Sequence, residues 1–232
     1  MEYLDANKIH PKLASKNMEE ARQIAVNSFP AFVKLILPWQ IMGHCHEDLC
    51  RWMQECEEYK LVLWPRDHAK STYAAFYVVW KLIRDPALSV IYASATSSLA
   101  EQMLNNVIKS KILESKKFQD YFPTMINPDE GRRAMWTQSR IILDHPLRKA
   151  HGSATPSIVT IGVGGNLTGS HGALVVLDDV VVKKNSVDEG ETGRQKVNGW
   201  IGMLASILSA ENDVLVVGTR YHPDDAYSTM IE

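Results

Sequence analysis

YKLVLWPRDHAKSTYAAFYVVWKLIR, residues 59–84, decides the fold. Its first part, Tyr59–Trp64, is a short apolar run stopped by Pro65. A polar loop follows, and Ser71–Arg84 is then apolar on most faces, which reads as strand, loop and buried helix. A loop between a core strand and a helix is where phosphate-binding loops sit. The standard form, G-x-x-x-x-G-K-[ST], can be aligned here on its Lys-Ser pair. That alignment puts Trp64, Ala69, Lys70 and Ser71 on the fixed positions, so both glycines are replaced. What remains is the part that carries charge and binds metal. Lys70 can neutralise the β and γ phosphates, Ser71 can hold Mg²⁺ with Thr72 as a second hydroxyl, and the helix N-terminus offers backbone N–H groups. Arg66 adds a guanidinium able to reach the γ phosphate in a fork geometry.

The pattern repeats on either side of this unit. Residues 17–58 read as helical, with apolar positions at three- and four-residue steps and breaks at Pro30 and Pro38, and a second run covers His46 to Glu58. Leu88–Ser94 is a buried strand, and Ser97-Ser98 opens an amphipathic helix ending near Ser115. Met135–Val163 predicts a hairpin and one sheet strand, Ala173–Asp179 a core strand, Glu191–Leu208 a helix and Asp213–Gly218 a last core strand. Asp224–Glu232 opens another amphipathic helix. Strands alternating with helices of this length predict an α/β three-layer sandwich around a mostly parallel sheet. We divide it into a helical region over 1–58 packed on a core over 59–232.

The second chemical feature is ALVVLDD, Ala173–Asp179, an apolar strand running into two carboxylates. In open parallel sheets the C-terminal strand edge is where ligands bind. Asp178 is assigned to Mg²⁺ and Asp179 to orienting or deprotonating an attacking water. Motor ATPases usually place Glu at the second position, and Asp reaches one methylene less far. Gly218-Thr219, at the end of DVLVVG, is placed to sense the γ phosphate from a neighbouring strand. The glycine-rich loop Gly162–Gly172 precedes the acidic strand and allows close backbone approach, with Asn166, Thr168 and Ser170 at its tips. His44, Cys45, His46 and Cys50 have no zinc-site spacing. A better use of His44, His46 or Gln40 is contact with a nucleotide base.

Bulk properties narrow the partners. The 232 residues carry 25 Lys and Arg against 27 Asp and Glu, a net charge of -2, so any DNA contact rests on a local patch or another domain. No apolar run approaches the roughly 20 residues of a membrane span, and residues 1–16 lack a secretory signal's apolar centre. The three cysteines fit a reducing, intracellular compartment better than a disulfide framework.

Three stretches together, WPRDHAKST (Trp64–Thr72), GNLTGSHGALVVLDDV (Gly165–Val180) and VLVVGTRY (Val214–Tyr221), resemble the large terminase subunit of tailed bacteriophages, the motor that translocates DNA into the procapsid. The resemblance implies a P-loop NTPase of the additional-strand (ASCE) type that uses ATP and Mg²⁺. Its partners would be double-stranded DNA, the portal protein and a small terminase subunit, with copies assembling as a homo-oligomeric ring and no membrane. The phosphate site would comprise Trp64, Pro65, Arg66, Asp67, His68, Ala69, Lys70, Ser71 and Thr72. His46 falls near the family's base-contacting position, and Gly218, Thr219 and Arg220 match its coupling motif. An RNase H-like nuclease domain would follow residue 232. The protein would act in the host cytoplasm, transiently on the procapsid, and be absent from the mature virion. Departures are Asp67 where related loops often have Gly, Ala69 for the second Gly, and His171 where many members have Arg. An arginine finger is then sought among Arg140, Arg148, Arg194 and Arg220. A hydrolysis-deficient nucleotide-binding or scaffold module and a helicase-like DNA-dependent ATPase are the competing readings.

Overall fold

The computed structural model describes residues 17–37, 43–56, 59–152, 155–165, 172–208 and 212–231. Pro38 and Gln40, the loop tips Asn166, Thr168 and Ser170, and His171 lie outside them.

Six strands form one sheet in the order β1-β6-β5-β2-β4-β3. They are β1 (Lys60–Leu63), β2 (Val90–Ser94), β3 (Arg140–Ile141), β4 (Ile158–Gly162), β5 (Leu174–Asp178) and β6 (Asp213–Gly218). All neighbours are parallel except the short edge strand β3 against β4. The strand that feeds the loop, β1, does not pair with the strand that ends in carboxylates, β5. The strand β6 is inserted between them, which is the additional-strand arrangement that the resemblance implies. Register brings the strand ends level, because Leu63 pairs with Gly218, Asp178 with Val217, and Ser94 with both Asp178 and Gly162.

Burial explains the layers. Period-2 alternation sends Tyr92, Val176 and Leu215 to one face and Ile91, Val175 and Val216 to the other, and both sets are buried. The first face is covered by α1 (Met18–Asn27), α2 (Phe29–Ile36), α3 (His44–Glu55), α4 (Lys70–Arg84) and α5 (Ser97–Gln102) with its continuation to Leu113. The second is covered by α8 (Gly190–Ile207) through Val197, Trp200 and Leu204. Between these come α6 (Lys116–Tyr121) and α7 (Pro146–Ala150). The helices α1–α3 share one apolar cluster with α4, in which Phe29 stands edge-on to Tyr77 at 5.4 Å and Trp80 Nε1 donates to the Ala25 carbonyl.

Local chemistry sets the boundaries and corrects several expectations. Pro30 does not break a helix. It sits in the first turn of α2, where its missing N–H has no partner to lose, and the break is Ser28, whose hydroxyl accepts from Ala31 N. The cap before α5 is Thr96, accepting from Leu99 N, rather than Ser97. From Met103 to Leu113 that helix widens to π geometry, with Lys109 Nζ donating to the Thr137 carbonyl and Asn105 Nδ2 to the Gln138 carbonyl. At the C-terminal end, only Ser228–Ile231 is helical (α9). Asp225 is buried and accepts from the backbone N–H groups of Tyr221, His222 and Tyr227, which holds 221–227 as a turn instead of a helix.

Candidate active site at the carboxyl edge of the sheet

The loop between β1 and α4 is bent by two non-glycine residues in the left-handed region, Asp67 (φ 64°) and Ala69 (φ 57°). Ala69, aligned with the second motif glycine, thus keeps the glycine conformation without being glycine. Replacing Ala69 with glycine is therefore expected to stabilise the fold by about 0.5–1 kcal/mol, read as a higher urea midpoint with an unchanged slope. A lower midpoint would show that the Ala69 methyl contributes more packing than the backbone loses in strain. Ala69 is also the N-cap of α4 and makes no side-chain cap bond, unlike the caps of α1, α2, α5 and α6. The first turn of α4 therefore begins without the side-chain acceptor that closes those other helices.

Period-2 alternation turns Asp178 toward α4, on the face that carries Leu174 and Val176. There Ser71 Oγ donates to Asp178 Oδ1 at 2.6 Å, and the Tyr92 hydroxyl donates to Oδ2 at 2.8 Å. Asp178 is 3% exposed. Burial pushes its carboxyl up to about 6, against the pull of the two hydroxyls and Lys70. The Tyr92 phenol is likewise pushed up, by burial first and then by Asp178. Asp179 turns out of the strand at φ 46° and meets Lys70 Nζ at 3.1 Å through Oδ2. Its other oxygen, Oδ1, is buried without a hydrogen-bond partner. Lys70 and Ser71 at the start of α4 thus converge with Asp178 and Asp179 at the end of β5.

The remaining loop residues are placed as follows. Arg66 is exposed and donates from Nε to the Tyr221 hydroxyl at 2.8 Å and from Nη2 to the same oxygen. His68 Nδ1 lies 2.7 Å from the Arg66 carbonyl. Pro65 and Asp67 are exposed, and Thr72 is half-buried on α4. The His46 ring stacks on Tyr73 at 5.0 Å and stands edge-on to Trp64 at 5.5 Å, while its Nε2 lies 3.2 Å from the His68 carbonyl. His46 therefore pins the loop from α3. Thr219 Oγ1 donates to the Trp64 carbonyl at 2.9 Å, and Trp64 N donates to the Gly218 carbonyl at 3.0 Å, so the 218–219 pair is bonded to the base of the loop. Gly218 is required by crowding, since a Cβ there would lie 2.1 Å from the Tyr227 hydroxyl. Arg220 donates to the Pro223 carbonyl and to Ser228 Oγ.

Among the arginines considered as a finger, Arg148 is buried and its guanidinium is spent on the carbonyls of Pro86, Ala87, Leu88 and Thr155. It clamps the chain after α4 and cannot reach a neighbouring molecule. Arg140 is exposed, and Arg194 donates to the Ser186 carbonyl. Sequence reasoning missed Tyr92 and Tyr221. For Tyr92 a signal existed: a phenol inside a strand read as buried needs a partner for its hydroxyl.

The donor set suits one metal in particular. Among the described residues no three His, Cys, Asp or Glu side chains form a metal-ligating group. The Ser71 hydroxyl at the start of α4 and the Asp178 carboxylate at the end of β5 are hard oxygen donors in the small number that Mg²⁺ takes when substrate phosphates and water complete its shell. With Lys70 beside them, the arrangement can hold a polyphosphate and its cation and place a carboxylate next to a water.

No family model matches the chain. Its sequence is 28% identical over 179 residues to the large terminase subunit of enterobacteria phage T3, covering 75% of this chain and 28% of that protein. The chain therefore spans little more than a quarter of the length of that relative. The HK97 bacteriophage large terminase shares the fold, with a TM-score of 0.54 and 16% identity over 89% of this chain and 40% of that one. The large terminase ATPase domain of Thermus phage P74-26 superposes with a TM-score of 0.47 at 16% identity, over 82% of this chain and 68% of that one. The chain is thus similar in sequence to one phage large terminase subunit and in fold to another.

Proposed function

We propose that this chain is the ATP-hydrolysing motor part of a viral large terminase subunit, which drives double-stranded DNA into a procapsid. The observation that carries the proposal is the contact of Ser71 with Asp178 and of Lys70 with Asp179, made across the strand β6 that separates their parent strands. Hydroxyl, ammonium and paired carboxylates at that spacing are what phosphoryl transfer to water requires. Lys70 and Arg66 bind the phosphates and draw off charge as it develops. Ser71 and Asp178 would hold Mg²⁺, which when bound would screen the phosphate charge. Asp179 orients the attacking water and takes up its proton. The Trp64–Gly218 and Thr219–Trp64 bonds pass loop movement to Gly218, Thr219 and Arg220, which serve as the coupling segment.

The rest of the machine follows from the same resemblance. Copies assemble as a ring on the portal protein with a small terminase subunit, and a nuclease domain follows this region in the full protein. A neighbouring copy completes each site with an arginine, Arg148 excepted. The work is done in the host cytoplasm, on the procapsid. Among the described residues no helix is long and apolar enough to cross a membrane.

The ion pair between Lys70 and Asp179 also suits a module that binds nucleotide without hydrolysing it, because it ties the phosphate-binding cation to the water-orienting carboxylate. Calorimetry with ATP and a non-hydrolysable analogue, beside a phosphate-release assay on the full-length protein, separates the two. Binding with release is expected. Binding of both ligands without release would favour the non-hydrolysing module, and binding of neither would remove the site.

A further inference from the structure

His68, in the middle of the phosphate loop, lies between two left-handed residues that are not glycine, Asp67 (φ 64°) and Ala69 (φ 57°). Each is unfavourable by itself, so the shape persists only where the surroundings over-determine it. The bonds from Gly218, Thr219 and Tyr221 end at Trp64 and Arg66, ahead of the left-handed pair. The backbone of the pair itself is reached from α3, by His46.

The His46 ring touches the loop at its start, its middle and its exit. It stands edge-on to Trp64 at 5.5 Å, its Nε2 lies 3.2 Å from the His68 carbonyl, and it stacks at 5.0 Å on Tyr73, whose backbone N–H donates to the Ala69 carbonyl. A carbonyl only accepts, so Nε2 carries the proton, and Nδ1 is the acceptor that the Cys45 thiol faces at 3.8 Å. The base of this strut is fixed, because Leu49, Cys50 and Met53 of α3 are buried and Glu47 pairs with Lys34 of α2 at 3.0 Å.

We propose that His46 is a positioning residue for the phosphate loop, holding the left-handed turn at Asp67–Ala69 that glycines would otherwise supply, and that it does not contact the nucleotide base. The inference rests on the reading of Trp64–Ser71 as a phosphate loop. Both ring nitrogens and one ring face of His46 are already engaged within the chain, which removes the groups that would recognise a base by hydrogen bonding. A loop without glycine populates this turn less readily, and its apparent phosphate affinity falls with the fraction of molecules that hold it.

The test measures the affinity of the full chain by calorimetry for two probes with Mg²⁺, a non-hydrolysable ATP analogue and inorganic tripolyphosphate, which has no base. His46→Phe keeps a ring on Tyr73 and removes the proton donated to His68. It should weaken both probes about three- to tenfold, within the range one neutral hydrogen bond spans, and by the same factor within about twofold. In the Asp67→Gly/Ala69→Gly background, where the turn needs no strut, the same substitution should change either affinity by less than about twofold. A loss confined to the ATP analogue would make His46 a base contact, and no loss, or an equal loss in both backgrounds, would leave it a plain packing residue. Each of these outcomes overturns the inference and leaves the loop reading intact. A wild-type chain that binds neither probe overturns both.

Discussion

ATP turnover by the full-length protein is expected to fall by at least about 100-fold when Lys70 is replaced with alanine, equivalent to roughly 2.7 kcal/mol of transition-state stabilisation. The size follows from the position. Lys70 is 6% exposed, so its charge acts from a site largely closed to water, where it is screened far less than a surface lysine. Its carboxylate partner Asp179 is more open, with a side-chain exposure of 36%, and can be solvated once the ammonium is gone. The fold should survive, at a cost of about 1–3 kcal/mol for leaving the half-open carboxylate without its partner. The check is a phosphate-release assay next to a urea unfolding curve. Normal turnover in a folded Lys70→Ala protein would remove the loop from the reaction.

Asp178→Asn is expected to separate stability from function. The wild-type carboxyl, buried against Ser71 and Tyr92, is pushed up to about 6. An unfolded Asp gives up its proton near 3.9. Between roughly pH 4 and 6 the folded chain keeps a proton that the unfolded chain has lost, so this residue's contribution to stability decreases as pH rises through that window. Above it the folded state carries the full penalty of a buried carboxylate, on the order of 2–3 kcal/mol for a shift of this size. The asparagine variant has no such charge. Its stability relative to wild type should rise between pH 4 and 6 and stay higher at pH 7, less whatever the amide loses by offering one acceptor to two hydroxyls. Mg²⁺-dependent ATP binding and turnover should be lost. Unfolding curves at pH 4.5 and 7.5 with calorimetry of Mg-ATP give both readouts, and a variant whose stability relative to wild type does not rise from pH 4.5 to 7.5 would contradict the assigned environment of Asp178.

Much of this arrangement was legible from residues 59–84 and 173–179. Apolar runs broken by Pro65 and by Asp178-Asp179 mark strands whose ends must lie at one edge, and period-2 alternation places Asp178 on the α4 side. Three features were not legible because they depend on contacts distant in sequence. The left-handed backbone at Asp67 and Ala69 is imposed by closing the loop between β1 and α4, and local preference alone argues against it. His46 reads as a candidate base contact, and the packing of its ring on Tyr73 and Trp64 becomes visible only when α3 is laid beside the loop. The stretch from Asp224 reads as a helix start by composition, yet buried Asp225 accepts from the backbone N–H groups of Tyr221, His222 and Tyr227 and holds the chain as a turn. Tyr221 was invisible for the same reason, since its partner Arg66 is 155 residues away.

The claim that the carboxyl edge of the sheet is a Mg-ATP site is tested most directly by the structure of this chain with Mg²⁺ and a non-hydrolysable ATP analogue. The triphosphate should lie between Lys70 and Asp178, with Lys70 released from Asp179. Nucleotide bound elsewhere, or the Lys70–Asp179 contact intact at saturating analogue, would contradict it.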